Sequence, residues 1–322
     1  LCIAPTGAGK GVIIEELAKG PAERILLLSP LIALGRQQQF RLNSKKISAI
    51  CTMGSAMIRN PSPETRVWIL SPESALSSTT ERLILQWNPT LVVIDECHCV
   101  VEWGSEFRPA YGHLPKWLKE CGFQRTLWMS ATVPSSAISI IESGLSRELT
   151  VQGSFALPKN LDIRFLQTPW TNRLRILTRL MMEKSEGGIV FTSSRQMTER
   201  VQRLVQATGR SSFFYHAGLS NEERRLIETK IQKSLTSIVV ATSAFGMGMD
   251  YQNLTWVVLW QPPRTVLSLA QALGRVGRNQ SPGQALMLWD DEDLRFVDEE
   301  VRVLLKKDAS GHLKKYLEKY FH

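Results

Sequence analysis

Cysteine is scarce and long apolar runs are missing. The 322-residue chain holds five cysteines, Cys2, Cys51, Cys97, Cys99 and Cys121, an odd count with no C-x-x-C pair. That pattern argues against a disulfide framework and a zinc site, and makes a reducing cytosol, cytoplasmic (nucleoid) or nuclear, the expected setting. The longest apolar stretch, 25–34, is broken by Ser29 and Pro30. It falls short of the ~18–20 residues that span a bilayer, so no membrane partner is expected. Acidic charge is in deficit: 30 Asp and Glu against 39 Lys and Arg give a net +9. Such an excess favours a polyanionic partner, nucleic acid above all. What remains is ordinary globular composition, 43% apolar and 21% charged, enough for about two domains at ~150 residues each. The chain begins at Leu1, inside a strand pattern and without Met or a signal-peptide pattern, and is expected to be a piece of a longer protein.

Short aliphatic or β-branched runs recur at 1–4, 25–29, 67–70, 91–94 and 126–129. Each is near-continuously apolar, which predicts a parallel strand buried on both faces. Segments between them, such as 15–19 and 81–87, read as crossover helices. The alternation predicts an α/β fold with doubly wound parallel sheets. The rhythm breaks at 151–161, which holds Gly153, Ser154 and Pro158 without a period. It restarts with runs at 188–191, 213–215, 238–241, 256–260 and 285–289. The expected organisation is an α/β domain at 1–152, a linker at 153–161, a second α/β domain at 162–291 and a charged helical tail at 292–322. Trp128, Trp256 and Trp260 fall in strand patterns and are expected in the cores.

Three segments carry chemistry. APTGAGKG, at 4–11, directly follows a strand pattern. Glycines there let successive backbone N–H groups turn toward a phosphate, and the helix that follows adds its positive end. Pro5, Thr6, Gly7, Ala8, Gly9, Lys10 and Gly11 are thus the candidate ATP-binding loop, with Lys10 as the point charge for the β- and γ-phosphates. Such loops end in Ser or Thr, whose hydroxyl binds Mg²⁺; here that position is Gly11. LVVIDECH, at 91–98, ends an apolar strand in two carboxylates, where α/β sheets place their ligands. Asp95 is the candidate Mg²⁺ residue, directly or through water, and Glu96 the candidate to polarise the water that attacks the γ-phosphate. QALGRVGR, at 271–278, offers Gln271, Arg275 and Arg278. Arginines suit a developing transition-state charge, and the competing reading is a basic surface helix.

With these segments in place, the chain resembles the helicase core of superfamily two, and within it the RecQ-like DNA helicases, over nearly its whole length. SPLIAL at 29–34, LSPES at 70–74, SAT at 130–132, YHAGLSNEER at 215–224 and ATSAFGMGMD at 241–250 are similar to RecQ segments. DECHC at 95–99 runs into EWGSEFRPAY at 102–111, which resembles the aromatic-rich loop of that family. The resemblance implies two tandem RecA-like domains with ATP in the cleft between them. Arg275 and Arg278 would close from the second domain, and single-stranded DNA would cross the tops of both. Gly248 and Asp250 would lie at the nucleotide, Asp250 on the ribose or paired with an arginine. DNA contact or coupling is implied for Ser29, Pro30, His98, Trp103, Phe107, Arg108, Thr132 and Thr242, with a base stacking on Trp103 or Phe107. The plainer alternative for Trp103, Phe107 and Tyr111 is core packing, and for His98 a structural role.

By resemblance the expected activity is ATP-driven 3′ to 5′ translocation on single-stranded DNA and unwinding of duplex DNA, the work of repair and recombination enzymes. One alternative is a translocase that does not unwind. Another is a degenerate motor that binds nucleotide and DNA as a scaffold. Gly11 favours the scaffold; Lys10, Asp95, Glu96, Gln271, Arg275 and Arg278 together oppose it. The family's adenine-reading glutamine would precede Leu1, and no cysteine follows Cys121 to build its four-cysteine zinc domain. No winged-helix domain is expected within these 322 residues either. The loop reads Gly104-Ser105-Glu106-Phe107 where many relatives carry His-Asp before the phenylalanine. Unwinding is therefore expected to draw on domains or subunits outside this chain.

Overall fold

Ile25–Leu28 and Leu91–Asp95 are buried along their whole length, as strands covered by helices on both faces must be. The structure is a computed structural model. It describes the chain apart from residues 6–7, 21–22, 55–57, 59, 103–108, 244, 246–250, 252, 278–280, 307–311 and 322. The chain divides into two units, Leu1–Phe155 with Tyr320–His322, and Ala156–Lys319.

In the first unit the elements run β1 (Cys2–Ile3), α1 (Lys10–Ala18), β2 (Ile25–Leu28), α2 (Ile32–Ser44), β3 (Ala49–Cys51), β4 (Val67–Leu70), α3 (Pro72–Ala75), α4 (Ser78–Trp87), β5 (Leu91–Asp95), α5 (Cys99–Glu102), α6 (Pro109–Glu120), β6 (Thr126–Ser130), α7 (Ser135–Leu145) and β7 (Gln152–Gly153). The seven strands form one sheet in the order β3-β4-β2-β5-β6-β1-β7, every pair parallel. Ile14 and Ala18 of α1 and Leu42 of α2 pack onto Ile25, Leu27, Ile69 and Val93. Burying such side chains is what stabilises the sheet, at roughly 25 cal/mol per Å² of apolar surface.

The second unit continues with β8 (Leu161–Gln167), α8 (Trp170–Glu183), β9 (Gly187–Phe191), α9 (Arg195–Gln206), β10 (Ser212–Tyr215), α10 (Asn221–Lys233), β11 (Ile238–Ala241), β12 (Leu254–Leu259), α11 (Val266–Leu273), β13 (Gly283–Trp289), α12 (Glu299–Lys306) and α13 (Leu313–Tyr320). Its sheet order is β10-β11-β9-β12-β13-β8, again all parallel. Trp256 lies against β9, where a Cβ on Gly188 would fall 2.1 Å from the indole ring. Only glycine fits there. Trp128, Trp256 and Trp260 are all core residues, as their strand patterns predict.

Beyond the core, one buried cation fixes the strand ends of this sheet. Arg173 of α8 has no exposed surface. It donates to the Trp260 carbonyl at 2.8 Å and to Asp293 at 2.6 Å, and pairs with Asp290 at 3.0 Å. It therefore ties α8 to the residues that follow β12 and β13. Removing such a cation leaves the buried Asp293 carboxylate uncompensated, typically costing ~3–5 kcal/mol.

Two segments differ from the sequence pattern. The structure makes 161–167 a strand, β8, whose burial alternates along its length. It pairs on one side only, with β13, and an edge strand has no need of the continuous apolar run that marks central ones. The expected linker is partly packed as well: Gln152 and Gly153 pair with β1, and Phe155 and Leu157 are buried. The charged tail forms α12 and α13, which bury Val301, Leu304, Leu305, Leu313 and Leu317.

Candidate active site

Strand register gathers the first unit's polar groups at one end of its sheet. β5 pairs with β6 so that Asp95 faces Met129, and β6 pairs with β1 so that Ile3 faces Ser130. The phosphate-loop segment after β1, the acidic pair closing β5 and Ser130 to Thr132 closing β6 therefore emerge side by side. These are the carboxyl ends of parallel strands, the usual place for ligands in such folds.

Gly9 sits just before α1 with φ 88°, a left-handed conformation that glycine adopts at no steric cost. The Ala8 N–H donates to the Pro5 carbonyl at 3.0 Å. Lys10 opens α1, and its Nζ donates to the Ala4 carbonyl at 3.0 Å, which folds the ammonium back over the loop. Gly11 is buried and offers no side-chain oxygen.

Asp95 is buried, 6% exposed. Burial pushes its carboxyl up to about 7, the charge of Glu96 adds to the rise, and the Lys10 ammonium pulls against it. Two adjacent carboxylates held this way are short of positive charge, which a divalent cation would supply. Among the described residues no group of three or more His, Cys, Asp or Glu forms a metal cage. The donor set thus fits a Mg²⁺ held by one carboxylate, substrate phosphates and water. The phosphate loop contributes no side-chain ligand at position 11.

Glu96 has φ 50°, a region non-glycine residues seldom occupy and which costs of order 1–3 kcal/mol. Its Oε2 lies 3.4 Å from His98 Nδ1. That same nitrogen lies 2.8 Å from Ser130 Oγ. The Ser130 hydroxyl donates to the Thr132 carbonyl at 3.1 Å and accepts from the Thr132 N–H at 3.3 Å. One polar chain thus runs from Glu96 through the buried His98 and Ser130 to the segment after β6. Burial, with the nearby carboxylates, raises the Cys97 thiol far above its usual range, so Cys97 is an inert core residue. Tyr111 is core as well: it is fully buried in α6, and its hydroxyl donates to the Asp95 carbonyl at 3.4 Å.

In the second unit the ends of β9, β11 and β12 are level, with Phe191 paired to both Ala241 and Leu259. Beyond them lies a cavity of about 430 Å³. Thr242, Gln271 and Arg275 line it, together with Thr192, Pro262 and Phe296. The last three were not singled out from the sequence; Thr192 ends an apolar run as Asp95 does, and that was the available signal. Among the described members of the DNA-contact set, Thr242 lines this cavity, whereas Ser29, Pro30, His98 and Thr132 are buried. Thr6, Gly7, Trp103, Phe107, Arg108, Gly248, Asp250 and Arg278 lie outside the described residues. Among the described residues no helix is long and apolar enough to cross a membrane.

The family pattern described as DEAD/DEAH box helicase matches residues 1–140, and the helicase conserved C-terminal domain matches 172–280. The chain is 30% identical over 325 residues to an ATP-dependent DNA helicase RecQ of Pasteurella multocida, covering 96% of this chain and 50% of that protein. A Synechocystis ATP-dependent DNA helicase RecQ is 27% identical over 339 residues, covering 98% of this chain and 70% of the relative. The chain thus spans about half the length of the first of these relatives. Among solved structures, S. cerevisiae Dbp5 bound to RNA and ADP BeF3 superposes with TM-score 0.77 at 15% identity, covering 100% of this chain and 89% of that one. The helicase MrfA bound to DNA and AMPPNP gives 0.75 at 20% identity, covering 99% and 48%. At those identities the likeness speaks for the fold of two tandem parallel-sheet units.

Proposed function

Because the chain belongs to the RecQ-like branch of the superfamily-two helicases, we propose that it is the motor core of an ATP-dependent DNA helicase, moving 3′ to 5′ on single-stranded DNA. The observation that carries this reading is the strand register that sets the phosphate loop, Asp95–Glu96 and Ser130–Thr132 at one sheet end. Lys10 leaves the Ala4 carbonyl to meet the β- and γ-phosphates. Asp95 would hold Mg²⁺ directly or through water, and the bound cation would supply charge neutralisation for the phosphate oxygens. Glu96 orients the attacking water and takes its proton. Gln271, Arg275 and Arg278 serve the transition-state charge. The contacts Glu96–His98–Ser130–Thr132 support a route from DNA contact to the hydrolytic carboxylate.

Duplexes with a single-stranded tail test polarity and unwinding together. The chain is expected to separate strands from a 3′ tail and not from a 5′ tail. The reverse preference would overturn the proposed direction. A second reading, a nucleotide- and DNA-binding scaffold, is favoured by Gly11. It predicts binding of both ligands with separation from neither tail.

A further inference from the structure

The place of the missing Ser or Thr side chain is filled. α1 buries Gly11, Glu15 and Ala18 along one face. Glu15, 1% exposed, forms ion pairs with Arg41 and Lys45 of the α2 region, the latter at 2.5 Å. Arg41 uses its Nε for that pair, so its terminal nitrogens project past Glu15 toward the start of α1. A Cβ on Gly11 would stand 2.7 Å from Arg41 Nη1 and 3.3 Å from both amide atoms of Gln38. The Gln38 carbonyl oxygen is buried without a hydrogen-bond partner among the described residues. Two cations on one buried carboxylate leave a positive charge in excess, one turn from the phosphate loop.

A guanidinium in that position is unable to ligate a metal and repels one. It is, however, the side chain best shaped to bind phosphate oxygens, through planar paired donors. We propose that Arg41 replaces the hydroxyl-held metal contact: beside Gly11, its guanidinium binds the terminal phosphate oxygens of a nucleoside triphosphate directly. Glycine at position 11 is then a requirement, because any side chain would displace that group. Nucleotide binding becomes independent of Mg²⁺, while hydrolysis still needs the cation at Asp95. This inference rests on the ATP-binding reading above.

Titration of a fluorescent ATP analogue in Mg²⁺ and in EDTA, with the whole chain, tests it. The wild type is expected to bind equally in both. Arg41→Ala should weaken binding in EDTA by about 10- to 100-fold, the usual worth of a charge-assisted hydrogen bond. Arg41→Lys should recover part of the loss. Glu15 keeps Lys45 as its partner in these variants, and unchanged circular dichroism and Tm confirm the fold. Gly11→Ser, which pushes the flexible end of Arg41 aside, should make binding tighter in Mg²⁺ than in EDTA. Wild-type binding in Mg²⁺ alone, or an Arg41→Ala affinity in EDTA equal to wild type, would overturn the role of Arg41 and leave ATP binding standing. A wild type that binds in neither condition overturns both.

Discussion

Glu96→Gln is expected to keep ATP bound and to lower turnover by ~10²–10⁴-fold, the usual contribution of a general base. The amide preserves size and its reach toward His98, now 3.4 Å from the carboxylate, but loses the basic oxygen. The left-handed backbone at Glu96, φ 50°, is unaffected by the exchange, so stability should hold. The check pairs single-turnover hydrolysis with nucleotide affinity. Near-normal turnover would remove Glu96 from the chemistry. Loss of affinity and turnover together would instead mark Glu96 as part of the metal site.

Arg278→Ala carries the largest expected loss, ~10³–10⁵-fold in hydrolysis, as for arginines that meet transition-state charge. Nucleotide should still bind the first unit through Lys10. The rival is a basic surface contact to DNA, and the two part cleanly. A surface cation lost from a DNA interface weakens binding and flattens its salt dependence. A transition-state arginine leaves DNA affinity in place and stops turnover. Measuring both with one variant decides between them.

How legible this molecule was depends on where the determining contacts lie. Strands β2 and β5 could be read because both faces are buried, so every residue is apolar up to Asp95. β8 could not, because it is an edge strand that faces alternately in and out. The glycine-rich segment at 4–11 and the acidic pair at 95–96 stand out in the sequence because each is a contiguous stretch whose chemistry is local. Their neighbourhood was visible only through register, since Ile3, Asp95 and Ser130 are far apart in sequence and meet through β6. The Arg41–Glu15 pair beside Gly11 is of the same kind. Gly11 alone reads as a lost ligand; the packing of α1 on α2 turns it into space that a cation uses. Likewise Thr192, Pro262 and Phe296 come together with Thr242 and Gln271 only once strand ends are levelled in the sheet.

Nucleotide hydrolysis is expected to be coupled to DNA. Steady-state ATP hydrolysis by the purified chain, at saturating Mg²⁺, with and without single-stranded DNA, reads that coupling. A rate that rises with single-stranded DNA, saturates, and loses that rise in Trp103→Ala while the basal rate stays is the predicted result. A rate indifferent to DNA, or tight binding of DNA and ATP with no hydrolysis at any Mg²⁺ concentration, would contradict it.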